Sequence, residues 1–370
     1  MGRLSYSLVT YTYEDATLVN GLLESALGWT EPPERIIVVD DGSSQAYAPP
    51  FNDERLRVIR NIKNLGVTRT KGIGIAAAET PYVLSVDCDS RLSDDWISSS
   101  SRLVRGENVA LVSSPISHKA FPDMASRYWA VYGDLHNHDS PSEVDFLTGG
   151  VWLLSKEIWE RVGGFEGYEK RTFQDHYYCA KLRKTGCRLM VNSEVEALQV
   201  RRMSRRAIAR KLWTWIEAIF KDGLQDERRF WDQAVSFFLS KTFERIEMHI
   251  ADNAVEFIYI EILYVVCALH DVLLWAEKGR GYSPECRMTL LRNVAAFGNA
   301  HPNFMRLLAV DAPELMGAKS PGGIDDSGFF HDFFGFLSSS GLMRLVDLRL
   351  GPIVAESRTA RYDYSMYEGA

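Results

Sequence analysis

Asp87 and Asp89 stand two residues apart at the end of the apolar run Tyr82, Val83, Leu84 and Val86. In extended backbone they share a face. Two carboxylates held together at the tip of a buried segment repel each other and lose hydration, so the arrangement is costly without a cation. A divalent metal carrying a diphosphate supplies one, since hard oxygen ligands suit magnesium or manganese. A second acidic group, Asp40-Asp41-Gly42-Ser43-Ser44, closes the apolar run Arg35–Val39. Turn formation explains that group as well as ligand binding does, because Asp bonds nearby backbone and Gly accepts positive φ. Taken alone, Asp87 and Asp89 also read as a cap on the turn that follows them.

The elements that must position these acids follow from hydrophobic spacing. Strands are predicted at Ser5–Thr12, Arg35–Val39, Leu56–Arg60, from Tyr82, at Val109–Ser114, at Phe146–Ser155 with a break at Gly149-Gly150, and at Arg188–Val191. Helices are predicted at Asp15–Ala26, Val67–Ala78, Asp94–Leu103, Glu157–Val162 and Asp175–Lys184. Alternation of the two implies a parallel sheet with helices on both faces, an α/β architecture. Ligands of such sheets gather at the carboxyl ends of the strands, where Asp40, Asp41, Asp87 and Asp89 fall. The stretch Pro115–Pro141, rich in aromatic and polar residues that include His136 and His138, reads as an insertion over the site. Beyond residue 201 helical periods replace strand patterns, which divides the chain into 1–200 and a mainly α-helical 201–370.

Composition narrows the partners. A formal charge of −7 argues against general nucleic-acid binding, which needs clustered Lys and Arg. Five cysteines without a CxxC pair indicate neither a zinc site nor a disulfide framework, and a reducing cytoplasm is the compartment expected. No apolar signal core opens the chain. The stretch Ile258–Trp275 is interrupted by Glu261, His270 and Asp271, which favours a helix buried in protein over a membrane span. Within 201–220, residues 201–211 hold six basic residues and no acidic one, and lead into Trp213 and Trp215. Two readings stay open there, peripheral contact with an anionic inner membrane face and an ordinary basic helix face packed on the catalytic domain. The helical half has equally open roles in acceptor binding, tethering or a homodimer.

In order along the chain, Asp40-Asp41-Gly42-Ser43-Ser44, Asn64-Leu65-Gly66, Val86-Asp87-Cys88-Asp89, Thr148-Gly149-Gly150, Val162-Gly163-Gly164-Phe165 and Gln174-Asp175 resemble the family 2 inverting glycosyltransferases of the GT-A fold. The resemblance covers residues 5 to 200. It implies a Rossmann-like GT-A domain that moves a sugar from a nucleotide-sugar donor, with uridine diphosphate the family's habit, to a hydroxyl of a saccharide, lipid-linked or protein acceptor. Polysaccharide or glycoconjugate synthesis is the implied setting. Carried onto this chain, Asp89 becomes the direct ligand of Mn2+ or Mg2+, and Asp87 holds ribose or a metal-bound water. Asp40 contacts the nucleobase or ribose, with Asp41 and the Thr10-Tyr11 loop beside it. Arg69 meets base or phosphate from the first turns of its helix, while Lys71 is expected on a solvated basic face. Gly149 and Gly150 let backbone approach the donor sugar, and Asp175 is the general base. Trp152 and Gln174 are candidate acceptor contacts, although a Trp in a strand is more often core.

Two positions depart from the family pattern. Gln174 replaces a Glu beside the base, and the stretch Ala197-Leu198-Gln199-Val200-Arg201-Arg202 lacks the His that the family places there at the metal or diphosphate. Arg201 or Arg202 meeting the diphosphate is the most economical substitute, since guanidinium suits phosphate oxygens. Gln199, His176, His136 and His138 are further candidates. These departures sustain an alternative reading, a catalytically inactive GT-A-like module that binds a nucleotide-sugar or serves as a scaffold. A nucleotidyltransferase is disfavoured because Leu8 to Tyr13 carries no glycine for a phosphate loop.

Overall fold

The computed structural model describes residues 2–133, 138–170, 173–223, 241–280, 284–316, 329–339 and 341–357. By compactness the chain forms two units. Of the described residues, the first unit holds those within Met1–Phe121 and Trp129–Arg202, and the second those within Pro122–Tyr128 and Met203–Tyr367.

In the first unit, β-branched and aromatic runs supply the strands β1 (Tyr6–Thr12), β2 (Arg35–Asp40), β3 (Leu56–Arg60), β4 (Tyr82–Val86), β5 (Ser90–Leu92), β6 (Val109–Ser113), β7 (Ile116–His118), β8 (Ser142–Glu143), β9 (Val151–Ser155), β10 (Arg188–Val191) and β11 (Ala197–Gln199). Eight of them make one sheet in the order β3-β2-β1-β4-β9-β6-β10-β8. β3, β2, β1 and β4 run parallel, so Asp40 and Asp87 end neighbouring parts of one edge. β9 runs antiparallel to both β4 and β6. The expected strand from Phe146 is shorter than its apolar pattern, beginning only at Val151, because residues 146–150 are drawn into the site described below.

Helices cover both faces, as the alternating pattern required. On one face α1 (Ala16–Leu27) and α3 (Trp96–Val104) bury Val19, Leu22 and Ile97 against Leu8, Val38 and Leu84. On the other, α2 (Val67–Ala77), α5 (Lys156–Val162) and α6 (Gln174–Lys184) bury Ile75, Trp159 and Tyr178 against Val9, Val39 and Val83. A smaller sheet of order β5-β11-β7 has no counterpart in the predicted elements, because its strands are only three residues long. Within 115–141, read from sequence as an insertion, the chain forms β7 and α4 (Met124–Tyr132); His136 lies outside the described residues.

The second unit is helical: α7 (Arg205–Gly223), α8 (241–251), α9 (Ile258–Arg280), α10 (Pro284–Ala300), α11 (Pro302–Asp311), α12 (Phe329–Ser339) and α13 (Leu342–Ser357). Among the described residues one stretch, Val255–Trp275, is long and apolar enough to cross a membrane, and most of it is buried. Its Glu261 is fully buried because Tyr128, Arg245 and His249 all bond it. The basic run that opens α7 is answered internally. Arg205 pairs with Asp311, Arg206 with Glu314, and Arg210 with Asp271 and Glu314. Ile208, Leu212 and Trp213 are buried, and the side chains of residues 215–220 lie outside the described residues.

Candidate active site

The tip of β4 turns sharply, since the Ser90 amide donates to the Asp87 carbonyl and the Asp87 amide to the Gly150 carbonyl. Asp87 therefore points to the face covered by α2. There Tyr11 Oη donates to its Oδ1 at 2.8 Å, and Lys71 Nζ reaches the same oxygen at 3.1 Å. Lys71 also donates to the Gly149 carbonyl, and its side chain is wholly buried, with the ammonium 5.4 Å from the Tyr11 and Trp152 ring centroids. Burial, together with the charge of Asp89, pushes the Asp87 carboxyl up; Lys71 and Tyr11 oppose it without cancelling it. The Tyr11 phenol is driven well above its ordinary range, first by burial and then by Asp87.

The expectation for α2 is thus reversed. Lys71, read as solvated, enters the site, whereas Arg69 is exposed and lines a separate cleft with Thr68, Gly72, Trp159 and Phe165. Residues two apart on a helix point about 200° apart, so only one of the two can face the acids. Gly74 on the inward face explains how the helix comes so close: a Cβ there would stand 2.4 Å from Val9 Cγ1.

Asp89 lies on the other side of the turn. β11 pairs antiparallel with β5, Gln199 opposite Ser90, and the Val200 amide donates to the Asp89 carbonyl at 2.8 Å. That register delivers Arg201, whose Nε meets Asp89 Oδ2 at 2.7 Å and whose Nη1 meets Asp15 Oδ2 at 3.0 Å. Burial disfavours the guanidinium charge, but Asp89 and Asp15 outweigh it and push the Arg201 pKa up. Arg202 is exposed, with its guanidinium 6.0 Å from the Phe121 ring centroid.

Asp175 is the second residue of α6, whose N-cap Phe173 is a non-glycine residue at φ 65°. Such a conformation costs about 1–2 kcal/mol and redirects the chain so that the Asp175 carboxylate turns to the glycine pair. Its Oδ2 accepts from the Gly149 amide at 3.2 Å and its Oδ1 from the His176 amide at 2.9 Å. A Cβ on Gly149 would lie 3.1 Å from Gln174 Nε2, 3.4 Å from Lys71 Nζ and 3.6 Å from Asp175 Cβ. One glycine thus joins the two acidic ends of the site. Tyr168 is raised by burial and by the charge of Asp175, and it stacks on Tyr177; Phe146 stacks on the exposed His176.

Other expected residues are placed differently. Asp40 is fully buried, accepting from the Ser43 and Tyr47 amides and from Arg60. Burial alone would raise its pKa; those donors outweigh it and leave the carboxyl below its ordinary value. Asp41 accepts from the Leu65 and Gly66 amides and from Asn61. Both acids therefore hold loops around the strand ends, where a nucleobase contact was expected. Thr10 is buried and alternates to the opposite sheet face from Tyr11. Trp152 is a core residue beneath the site, fully buried against Phe165 and Tyr178, so it presents no stacking surface to an acceptor. Gln174 is buried against Gly149. His138 is exposed.

Among the described residues no cluster of three or more His, Cys, Asp or Glu side chains forms a protein-only metal cage. Asp87 and Asp89 nonetheless fit magnesium or manganese, which are held by one or two carboxylates and complete their shell with phosphate oxygens. Lys71 pairs with Asp87, and Arg201 with Asp15 and Asp89, so both acids of the β4 tip already answer to positive charge.

Residues 7–163 match the model of the family Glycosyl transferase family 2. No curated protein matches the chain. Among solved structures, GalNAc-T7 with UDP, GalNAc and Mn2+ is 14% identical at a TM-score of 0.45, over 55% of this chain and 44% of that one. S. aureus TarS 1-349 is 15% identical at 0.42, over 74% and 87%. The mannosyltransferase PcManGT from Pyrobaculum calidifontis, in complex with GDP-Man and Mn2+, is 15% identical at 0.43, over 94% and 88%. This chain spans less than half of the GalNAc-T7 chain, and at these identities and scores none of the three bears on its chemistry.

Proposed function

We propose, from the premise that residues 7–163 form a family 2 glycosyltransferase domain, that the protein transfers a sugar with inversion from a nucleoside diphosphate donor to an acceptor hydroxyl. The observation that carries this reading is the Gly149 bridge: its carbonyl accepts from the ammonium that holds Asp87, and its amide donates to the carboxylate of Asp175. A leaving-group end and a base end then lie on either side of one residue too small to obstruct a sugar. An inverting displacement requires that relation, since the base must act opposite the leaving diphosphate.

Asp87 and Asp89 would hold a divalent ion, which supplies Lewis-acid stabilisation of the departing diphosphate. Lys71 neutralises Asp87 and fixes the Gly149 carbonyl, so the glycine turn keeps its shape as charge moves. Asp175 takes the acceptor proton; the Gly149 and His176 amides hold its carboxylate in place. A uridine diphosphate sugar is the proposed donor, and a saccharide, lipid-linked or protein hydroxyl the acceptor, in polysaccharide or glycoconjugate synthesis.

The test pairs two variants. Asp175→Asn is expected to lower transfer about a hundred to ten thousandfold while uridine diphosphate binding with manganese stays at the wild-type level in calorimetry. Asp89→Ala is expected to abolish both transfer and metal-dependent nucleotide binding. Unchanged turnover in both variants sinks the proposal, and wild-type binding without hydrolysis or transfer leaves a nucleotide-sugar-binding module in its place.

A further inference from the structure

Arg201 pairs with Oδ2 of Asp89, the carboxylate read above as a metal ligand, and it is built into that position. β11 sets its register through the Gln199–Ser90 pairing, the Val200 amide locks the strand to the Asp89 carbonyl, and the second guanidinium nitrogen is tied to Asp15. Asp15 is at the N-cap of α1 yet makes no side-chain cap bond there, so its carboxylate is committed to Arg201 where a helix cap would be the ordinary use. The Arg201 side chain is only 17% exposed. A cation so placed repels a divalent ion at Asp89, and its planar donors suit phosphate oxygens as they suit carboxylates.

On the reading given above, we propose that Arg201 is a positioning residue that makes metal binding at Asp89 conditional on the donor: the diphosphate takes over the guanidinium bonds, and Asp89 is thereby released to the metal. Metal and nucleotide then raise each other's affinity by one factor, since coupling between two ligands is reciprocal. The free protein discriminates against divalent ions alone, and the departing diphosphate returns Arg201 to Asp89.

The experiment is calorimetric titration of the full chain with Mn2+, with and without saturating uridine diphosphate, for the wild type, Arg201→Gln and Arg201→Lys. Arg201→Gln removes the charge while leaving a polar side chain, and a thermal melt of each variant confirms that it is folded. The wild type is expected to bind Mn2+ about tenfold more tightly once the nucleotide is present. In Arg201→Gln, Mn2+ alone should bind about tenfold more tightly than to the wild type, with the nucleotide enhancement largely lost. Arg201→Lys, which keeps the charge, should restore most of that enhancement. A merely structural ion pair predicts the opposite sign, with Mn2+ affinity unchanged or weakened in Arg201→Gln, and that result overturns the proposal. If no protein binds Mn2+ even with the nucleotide, the metal-dependent reading of the site falls and this proposal falls with it. Equal Mn2+ affinities across all three proteins remove only the role of Arg201.

Discussion

Lys71 shows what a single side chain decides in this site. A wholly buried ammonium is tolerated because Asp87 and the Gly149 carbonyl answer it, and the acid is tolerated in turn because Lys71 and Tyr11 answer it. Removing one partner strands the other charge. Lys71→Met is therefore expected to cost about 3 kcal/mol, the lower end for a broken buried pair because the Asp87 side chain keeps 27% exposure. Urea denaturation reads that cost, and uridine diphosphate titration with manganese should show weakened binding in the protein that remains folded. An unchanged denaturation midpoint would mean that Lys71 and Asp87 are not a pair. The acids themselves were legible from residue types alone, since two carboxylates ending an apolar run need a cation. Which basic residue of α2 would answer them was not legible, because Arg69 and Lys71 are both plausible until the phase of the helix against the sheet is known. Trp152 was ambiguous for a similar reason: strand alternation buries a residue on either face of a central strand, and only packing against Phe165 and Tyr178 excludes it from contact with an acceptor.

At the scale of elements, the strands and helices that form β1 to β4 follow their apolar runs closely, whereas β5, β7 and β11 are three-residue strands with no periodicity to read. That small sheet is what brings Arg201 to Asp89, so the sequence suggested a phosphate-binding arginine without showing its partner. The β2 end is a second case. Alone its two acids read as a turn, and their place after a buried strand pointed to a nucleotide contact; the structure uses them to pin the loops at 43–47 and 61–66. Asp40 gives a signed pH dependence. Its carboxyl is lower in the folded protein than its ordinary value of 3.8, so the stabilisation is fully present above that value and is lost as pH falls through the folded pKa. Asp40→Asn should lose about 1–3 kcal/mol near neutral pH by giving up charge-assisted bonds to Arg60 and the loop amides. Between about pH 5 and about pH 3 its urea midpoint should also fall less than that of the wild type. Parallel acid sensitivity in the two proteins would show that Asp40 is not held as an ion.

At the scale of the whole molecule, each unit carries its own core and its own buried charges. In the second unit the basic run at the start of α7 looked, from sequence, like a membrane-facing or solvated surface. Its partners are 61 to 108 residues further along the chain, at Asp271, Asp311 and Glu314, a distance over which no local pattern informs. Asp311 is the centre of that arrangement. It is 1% exposed, bonds the Arg205 guanidinium through both oxygens, and accepts from Tyr259 Oη at 2.8 Å. Asp311→Ala leaves the Arg205 charge buried with its principal partner gone, so a loss of about 3–5 kcal/mol is expected. Tyr259→Phe removes only a neutral donor to the same carboxylate and should cost about 1 kcal/mol. Hydrogen exchange distinguishes the two, because the larger loss should lower amide protection along α7, α9 and α11, the helices that carry these three residues. Comparable small losses from both substitutions would show that Arg205 finds solvent when Asp311 is removed, and that the basic run is an open surface after all.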